Sequence, residues 1–189
     1  MKIFELLIND LDEIGGVNAI SLVSDPAIES DWITLSKQKV ELKVVNEEKR
    51  ILMGAALIPE KPILRVNERG EEYYIFFSAK TIRQASELFL QRGLQNESTL
   101  EHMIPLTGNS VVETWIKEDE THDKSVKYGL DAPVGTWLVS MKISDDATWQ
   151  LAKQGRIKGF SIEGYFTDNV VQQSKQRTIN DVYNDIMNL

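Results

Sequence analysis

The run RILMGAALIP, residues 50–59, is apolar almost from end to end. A strand with one wet face alternates polar and apolar residues, so a near-continuous run reads as a strand buried on both faces. Its neighbours along the chain support a β-rich fold. KIFELLI opens the sequence, and GVNAISLVSDPA follows, closed by the Asp25-Pro26 turn signal. EEYYIFFS and SVVETWI are rich in aromatic and β-branched residues. GTWLVSMKI alternates, with Trp137, Val139, Met141 and Ile143 toward a core and Thr136, Leu138, Ser140 and Lys142 facing the other way.

Two helices interrupt the strands. AKTIRQASELFLQRG carries Ile82, Ala85 and Phe89 on one stripe, with Ser78 as N-cap and Gly93 as its stop. DDATWQLAKQG starts after Ser144, places Asp145 and Asp146 at its positive N-terminal end and stops at Gly155. QNESTLEH and KEDETHDKS read as exposed connections. The pattern predicts an α+β, β-rich domain over residues 1–168, built as a small bent sheet or β-barrel flanked by helices. Residues 169–189 read as a polar linker and an amphipathic C-terminal helix, with Ile179, Val182, Tyr183, Ile186 and Met187 on one face.

Composition narrows the chemistry. The chain has no cysteine, which excludes disulfides, thiolate nucleophiles and cysteine-based zinc sites. A net charge of -8 with scattered basic residues argues against nucleic-acid binding. The N-terminus turns acidic after a few apolar residues, unlike a signal peptide. No apolar run approaches the roughly 20 residues of a membrane-spanning helix. His102 and His122 with scattered carboxylates offer no metal-ligand spacing, and no cofactor is expected.

One polar residue in an apolar strand stands out. In GFSIEGYF, period two puts Phe160, Ile162 and Phe166 on one face and Ser161, Glu163 and Tyr165 on the other. Ser161 is either a residue of a polar outer face or a nucleophile on a rigid strand. A nucleophilic serine needs a base, because its hydroxyl is protonated at neutral pH. His102, in STLEHMIPLT at a strand entrance, is the better candidate, since His122 lies in a charged loop and reads as solvated. An acid would orient the imidazole from behind. Glu163 shares the serine's face and sits beside the nucleophile, while Glu113 in VVETWI follows His102 and could fold back past it. Asp25 stays open as a further acid, and Glu113 reads equally as a strand residue on a wet face. The GRIKG turn could supply oxyanion N–H groups, with Arg156 or Lys158 adding positive potential, or it is a simple helix-to-strand connection.

The ordered blocks GVNAISLVSDPAI, ILMGAALIPEKPILR, FFSAKTI, LEHM, VVETWI, DKSVKYGL, PVGTWLVSMKI and GRIKGFSIEGYF resemble the XkdF-type phage prohead (procapsid maturation) serine proteases, from about residue 14 to about 168. That family is related to prohead proteases and herpesvirus assemblins, whose fold is a β-barrel flanked by helices. The resemblance implies a serine endopeptidase with Ser161 as nucleophile and His102 as base. Its partners would be the phage scaffolding and major capsid proteins and the protease itself, in the bacterial host cytoplasm, inside the procapsid. A homo-oligomer is compatible with it; nucleic acid and membrane are not expected partners. In the broader prohead proteases an acid precedes an SLV..PA-like segment after the nucleophile. Here AISLVSDPA lies near the N-terminus, as in a circular permutation, and the matching positions are Asn18 and Ala19. The acid then comes from elsewhere, such as Glu113, or the enzyme works as a dyad. A catalytically weak or inactive capsid-assembly module on the same fold is the alternative. A small-ester hydrolase is a weaker third option, since the serine lacks a G-x-S-x-G strand-to-helix elbow.

Overall fold

The computed structural model describes residues 2–9, 14–26, 42–67 and 69–170. The amphipathic tail helix and most of the linker expected before it lie outside these residues. The described strands are β1 (Lys2–Leu7), β2 (Gly16–Val23), β3 (Lys43–Asn46), β4 (Ile51–Leu57), β5 (Ile63–Val66), β6 (Glu72–Phe76), β7 (Ser98–Leu100), β8 (Ile104–Leu106), β9 (Ser110–Ile116), β10 (Trp137–Lys142), β11 (Gly159–Tyr165) and β12 (Thr167–Val170). They form three four-stranded sheets, ordered β12-β1-β6-β5, β3-β4-β10-β9 and β11-β2-β7-β8. The fold is therefore β-rich α+β, and among the described residues no single sheet closes into a barrel. Thr167–Val170, the start of the expected polar stretch, is a strand paired antiparallel with β1.

β4 explains the layering. Leu52, Ala56 and Leu57 join the main core, while Met53, Ala55 and the following Ile58 join a second cluster with Leu130 and Leu138. The run is apolar on both faces because both are covered. β10 shows the same division. Trp137, Val139 and Met141 are fully buried in the main core as the alternation predicts. Leu138 and Ser140 face the other way but are buried too, because the segment after helix α2 (Lys124–Lys127) covers that side.

Both predicted helices are present. Helix α1 spans Ala79–Gln91 and buries Ile82, Ala85 and Phe89. The Ser78 hydroxyl caps its first turn by accepting from the Thr81 N–H at 3.4 Å, and Gly93 takes a left-handed φ of 71° just past its end. Helix α3 spans Asp146–Lys153. Its N-cap is Asp145, whose carboxylate accepts from the Thr148 N–H at 2.6 Å.

That cap makes stability acid-sensitive. The Thr148 hydrogen bonds hold the Asp145 carboxyl below its usual range, and the His122 and Thr121 N–H groups do the same for Asp119. A depressed folded-state pKa gives stability that is present above the unfolded value, ~3.9, and lost as pH falls through the folded one. The thermal midpoint is expected to drop as pH is lowered from ~5 toward ~2. Asp145→Ala should cost about 1 kcal/mol at neutral pH and less in acid, where the carboxyl is already protonated. Thermal melts of both proteins across that range check this; an equal cost at both ends would remove the cap from the explanation.

Candidate active site

The third sheet assembles the site. β11 runs antiparallel to β2 with Ser161 opposite Ser21 and Glu163 opposite Ala19. β2 runs parallel to β7 with Ser21 opposite Thr99. Ser161, Ser21 and Thr99 thus form a row across three strands, and side chains in one row share a face. Glu163, two residues from Ser161, lies on that face as well. Ser161 is buried, at 7% exposure, and among the described residues its hydroxyl makes no hydrogen bond.

His102 reaches this face from a tight turn. QNESTLEH, expected as an exposed connection, holds a 3-10 turn at Leu94–Asn96 and the internal strand β7. A three-residue run in the middle of a sheet leaves too short a period-two signal to read, so tertiary pairing decides it. β7 then reverses into β8. Glu101 and His102 take φ of 52° and 57°, and the Met103 N–H bonds to the Leu100 carbonyl at 3.1 Å. Two left-handed residues in succession match a type I′ turn, which usually employs Asn or Gly. The strain is held by three tethers to β2 and its end. The Glu101 N–H donates to the Leu22 carbonyl at 3.0 Å, the Ser24 N–H to the Glu101 carboxylate at 2.7 Å, and the His102 N–H to the Ser21 hydroxyl at 3.0 Å. Backbone strain so over-determined is typical of functional sites.

The imidazole meets a carboxylate there. His102 Nδ1 lies 3.3 Å from Glu163 Oε1, with both side chains part-exposed. The same Oε1 accepts a hydrogen bond from the Thr99 hydroxyl, which fixes the carboxylate on its other side. With its proton on Nδ1, His102 keeps a lone pair on Nε2, the form a general base needs. No hydrogen bond joins Ser161 to His102; the histidine is tied to β11 through Glu163, two positions along from the serine.

The other sequence candidates lie elsewhere. Glu113, on β9 in the second sheet, faces Ser140 of β10; its carboxylate accepts from the Ser140 hydroxyl at 3.0 Å and pairs with Lys124. The structure does not bring it to His102, because β9 pairs with β10 and not with β7 or β8. Asp25 is exposed on the bend after β2. The His122 side chain is 87% exposed and bonds only within its own loop, to Thr121 and Asp119. In the GRIKG turn, three N–H groups are already committed: Gly155 to Ala152, Arg156 to Leu151 and Lys158 to Val23, at 3.0, 2.9 and 2.9 Å. Those groups are not free to hold an oxyanion. Sequence reasoning missed Ser21, Thr99 and Glu101, all polar residues in or beside a buried strand, a pattern that is itself a signal.

Among the described residues β11 is an edge strand. Its start is covered, since Leu42 N–H bonds to the Lys158 carbonyl at 2.8 Å and Phe160 packs against Gly54 of β4. Beyond that, a cleft of about 270 Å³ opens along Ser161, Ile162 and Gly164, walled by Leu57, Ile63 and Arg65 among others.

In comparison with known proteins, no curated protein and no solved structure matches the chain. The model of one family, described as "Putative phage serine protease XkdF", matches residues 39–170. The match takes in β3 to β12, and with them His102, Glu113, Ser161 and Glu163, but not the β2 block that also resembles this family. No helix among the described residues is long and apolar enough to cross a membrane. With most of its length matched, including the strand of the candidate serine and the turn of the candidate histidine, this chain belongs to the XkdF family of phage serine proteases.

Proposed function

We propose that the chain is a Ser-His endopeptidase of phage prohead maturation, with Ser161 as nucleophile, His102 as base and Glu163, in place of Glu113, as the orienting acid. The observation that carries this reading is the His102–Glu163 contact at 3.3 Å, on the face that Ser161 shares. The register supports it further. Where the broader prohead proteases carry their acid before the SLV..PA-like segment, this chain has Asn18 and Ala19, and Glu163 is the cross-strand partner of the second of them. The carboxylate enters the same neighbourhood from the adjacent strand.

The chemistry follows from the parts. Glu163 accepts from Nδ1–H and stabilises the imidazolium as it forms. Nε2 takes the proton from the Ser161 hydroxyl as its oxygen attacks the peptide carbonyl, then passes it to the leaving amine. Water hydrolyses the acyl-enzyme with His102 as base again. The substrates proposed are the scaffolding protein, the N-terminal segment of the capsid protein and the protease itself, inside the procapsid in the bacterial host.

Glu163→Gln should lower kcat by ~10²–10⁴, since the amide can stabilise the wrong tautomer and cannot offset the imidazolium charge. Glu113→Gln should change kcat by less than a few-fold. Processing of co-expressed scaffold and capsid protein, followed by intact mass, separates the two; equal losses would return the acid's role to open competition. A capsid-assembly module without catalysis is the second reading. One observation favours it: the hydroxyl of Ser161, a residue only 7% exposed, makes no bond to His102.

A further inference from the structure

The cleft beside β11 holds a cation and no carboxylate among its lining residues. One part of its wall is apolar, formed by Leu57, Ile63, Ile75 and Phe166, and the rest is polar, from Arg65, Tyr73 and Ser161. Arg65 is the only charged side chain among its lining residues. In the β5–β6 ladder Arg65 stands opposite Tyr73, and one guanidinium N–H donates to the neighbouring Leu64 carbonyl at 3.1 Å. Among the described residues no Asp or Glu pairs with it. The residue as a whole is exposed, yet desolvation lowers its pKa from the ordinary arginine value, against a smaller opposing influence of Tyr73. A guanidinium beside apolar walls still has most of its planar fork of donors to offer a carboxylate.

Size limits the occupant. About 270 Å³ falls below the ~300–1,000 Å³ typical of small-molecule sites, and suits one or two side chains. Position does the same. Ser161 itself lines the cleft, and among the described residues β11 is an edge strand. A peptide lying extended beside such an edge presents alternate side chains to one face.

We propose that the Arg65 cleft is a specificity pocket of the same site, selecting a substrate segment whose acidic side chain lays its stem on the apolar walls and its carboxylate on Arg65. This rests on the peptidase reading. A charge-assisted pair to arginine in such a setting gives about tenfold discrimination of Glu over Gln.

The test uses immobilised Ser161→Ala protein and a degenerate library of short peptides, with retained peptides sequenced by mass spectrometry. Asp and Glu are expected to be enriched about tenfold over Asn and Gln. Adding Arg65→Leu should abolish the enrichment, and Arg65→Glu should shift it to Lys and Arg. Arg65→Lys should keep part of it, and thermal melts confirm that each variant is folded. Unchanged acidic enrichment in Arg65→Leu, or none with arginine present, overturns the pocket. Cleavage by the Ser161 protein without acidic preference sinks the pocket and leaves the peptidase. Arg65-dependent retention of peptides that the Ser161 protein never cleaves does the reverse.

Discussion

Ser161→Ala is expected to abolish processing, by a factor on the order of 10⁶ if the serine is the nucleophile of a Ser-His site. It is also expected to leave the fold about as stable. Ser161 as a residue is mostly buried on β11, but it lines the cleft, and its hydroxyl makes no hydrogen bond among the described residues. Removing it therefore takes away the nucleophile and breaks no bond that holds the strand. Co-expression with scaffold and capsid protein gives the first result, and thermal melts give the second. Processing at the rate of the Ser161 protein would assign the activity to another residue. A large fall in melting temperature would instead make the serine structural.

Gly164→Ala should have the largest effect on the fold itself. A Cβ at this position would lie 2.0 Å from the Gly16 carbonyl oxygen and 2.9 Å from the Gly16 carbonyl carbon and the Val17 Cα. These are backbone atoms of the paired strand and cannot rotate away. The contact arises where the β11–β2 ladder skips Asn18, so Glu163 pairs with Ala19 but Gly164 with Val17. Such a bulge brings two backbones together more closely than a side chain allows. Relief requires the strands to part, at about 3 kcal/mol or more, which is a fall on the order of 10 °C for a chain of this size. The same parting moves Glu163, the neighbour of the bulge, away from His102. Activity should therefore fall further than the remaining folded fraction explains. A melting temperature within about 2 °C of the parent would mean that the strands meet differently there.

The family match and the structure bear differently on these two substitutions. The chain's membership rests on residues 39–170, which contain Ser161 and Gly164 but not the β2 strand that both of them face. That strand comes from the N-terminal part of the chain, where the block resembling the acid-bearing segment of the broader prohead proteases has Asn18 and Ala19 and no acid. A cross-strand carboxylate compensates for such a loss only if the register is held. The bulge at Asn18 and the glycine that permits it set that register.

The sequence by itself determined what depends on local chemistry. Period and composition gave β4 as a doubly covered strand, the core face of β10, and both long helices with the Ser78 cap and the Gly93 and Gly155 stops. Such features are written in residues a few positions apart, where steric and hydrogen-bonding preferences act directly. The short strands β3, β5, β7, β8 and β12 were not legible, because three or four residues carry too little periodicity and pair only when a partner is supplied. The site followed the same division. A polar residue in an apolar strand pointed to Ser161, and the rigidity of a strand entrance pointed to His102. Which carboxylate stands behind that histidine was a question of register between strands far apart in the chain. Glu113 follows His102 closely in sequence, yet β9 carries it to Lys124 and Ser140. Glu163 reaches the imidazole because β2 joins β11 to β7 and so spans the distance between them. Long-range pairing is chosen by the burial of the whole core, and no local run of residues encodes it.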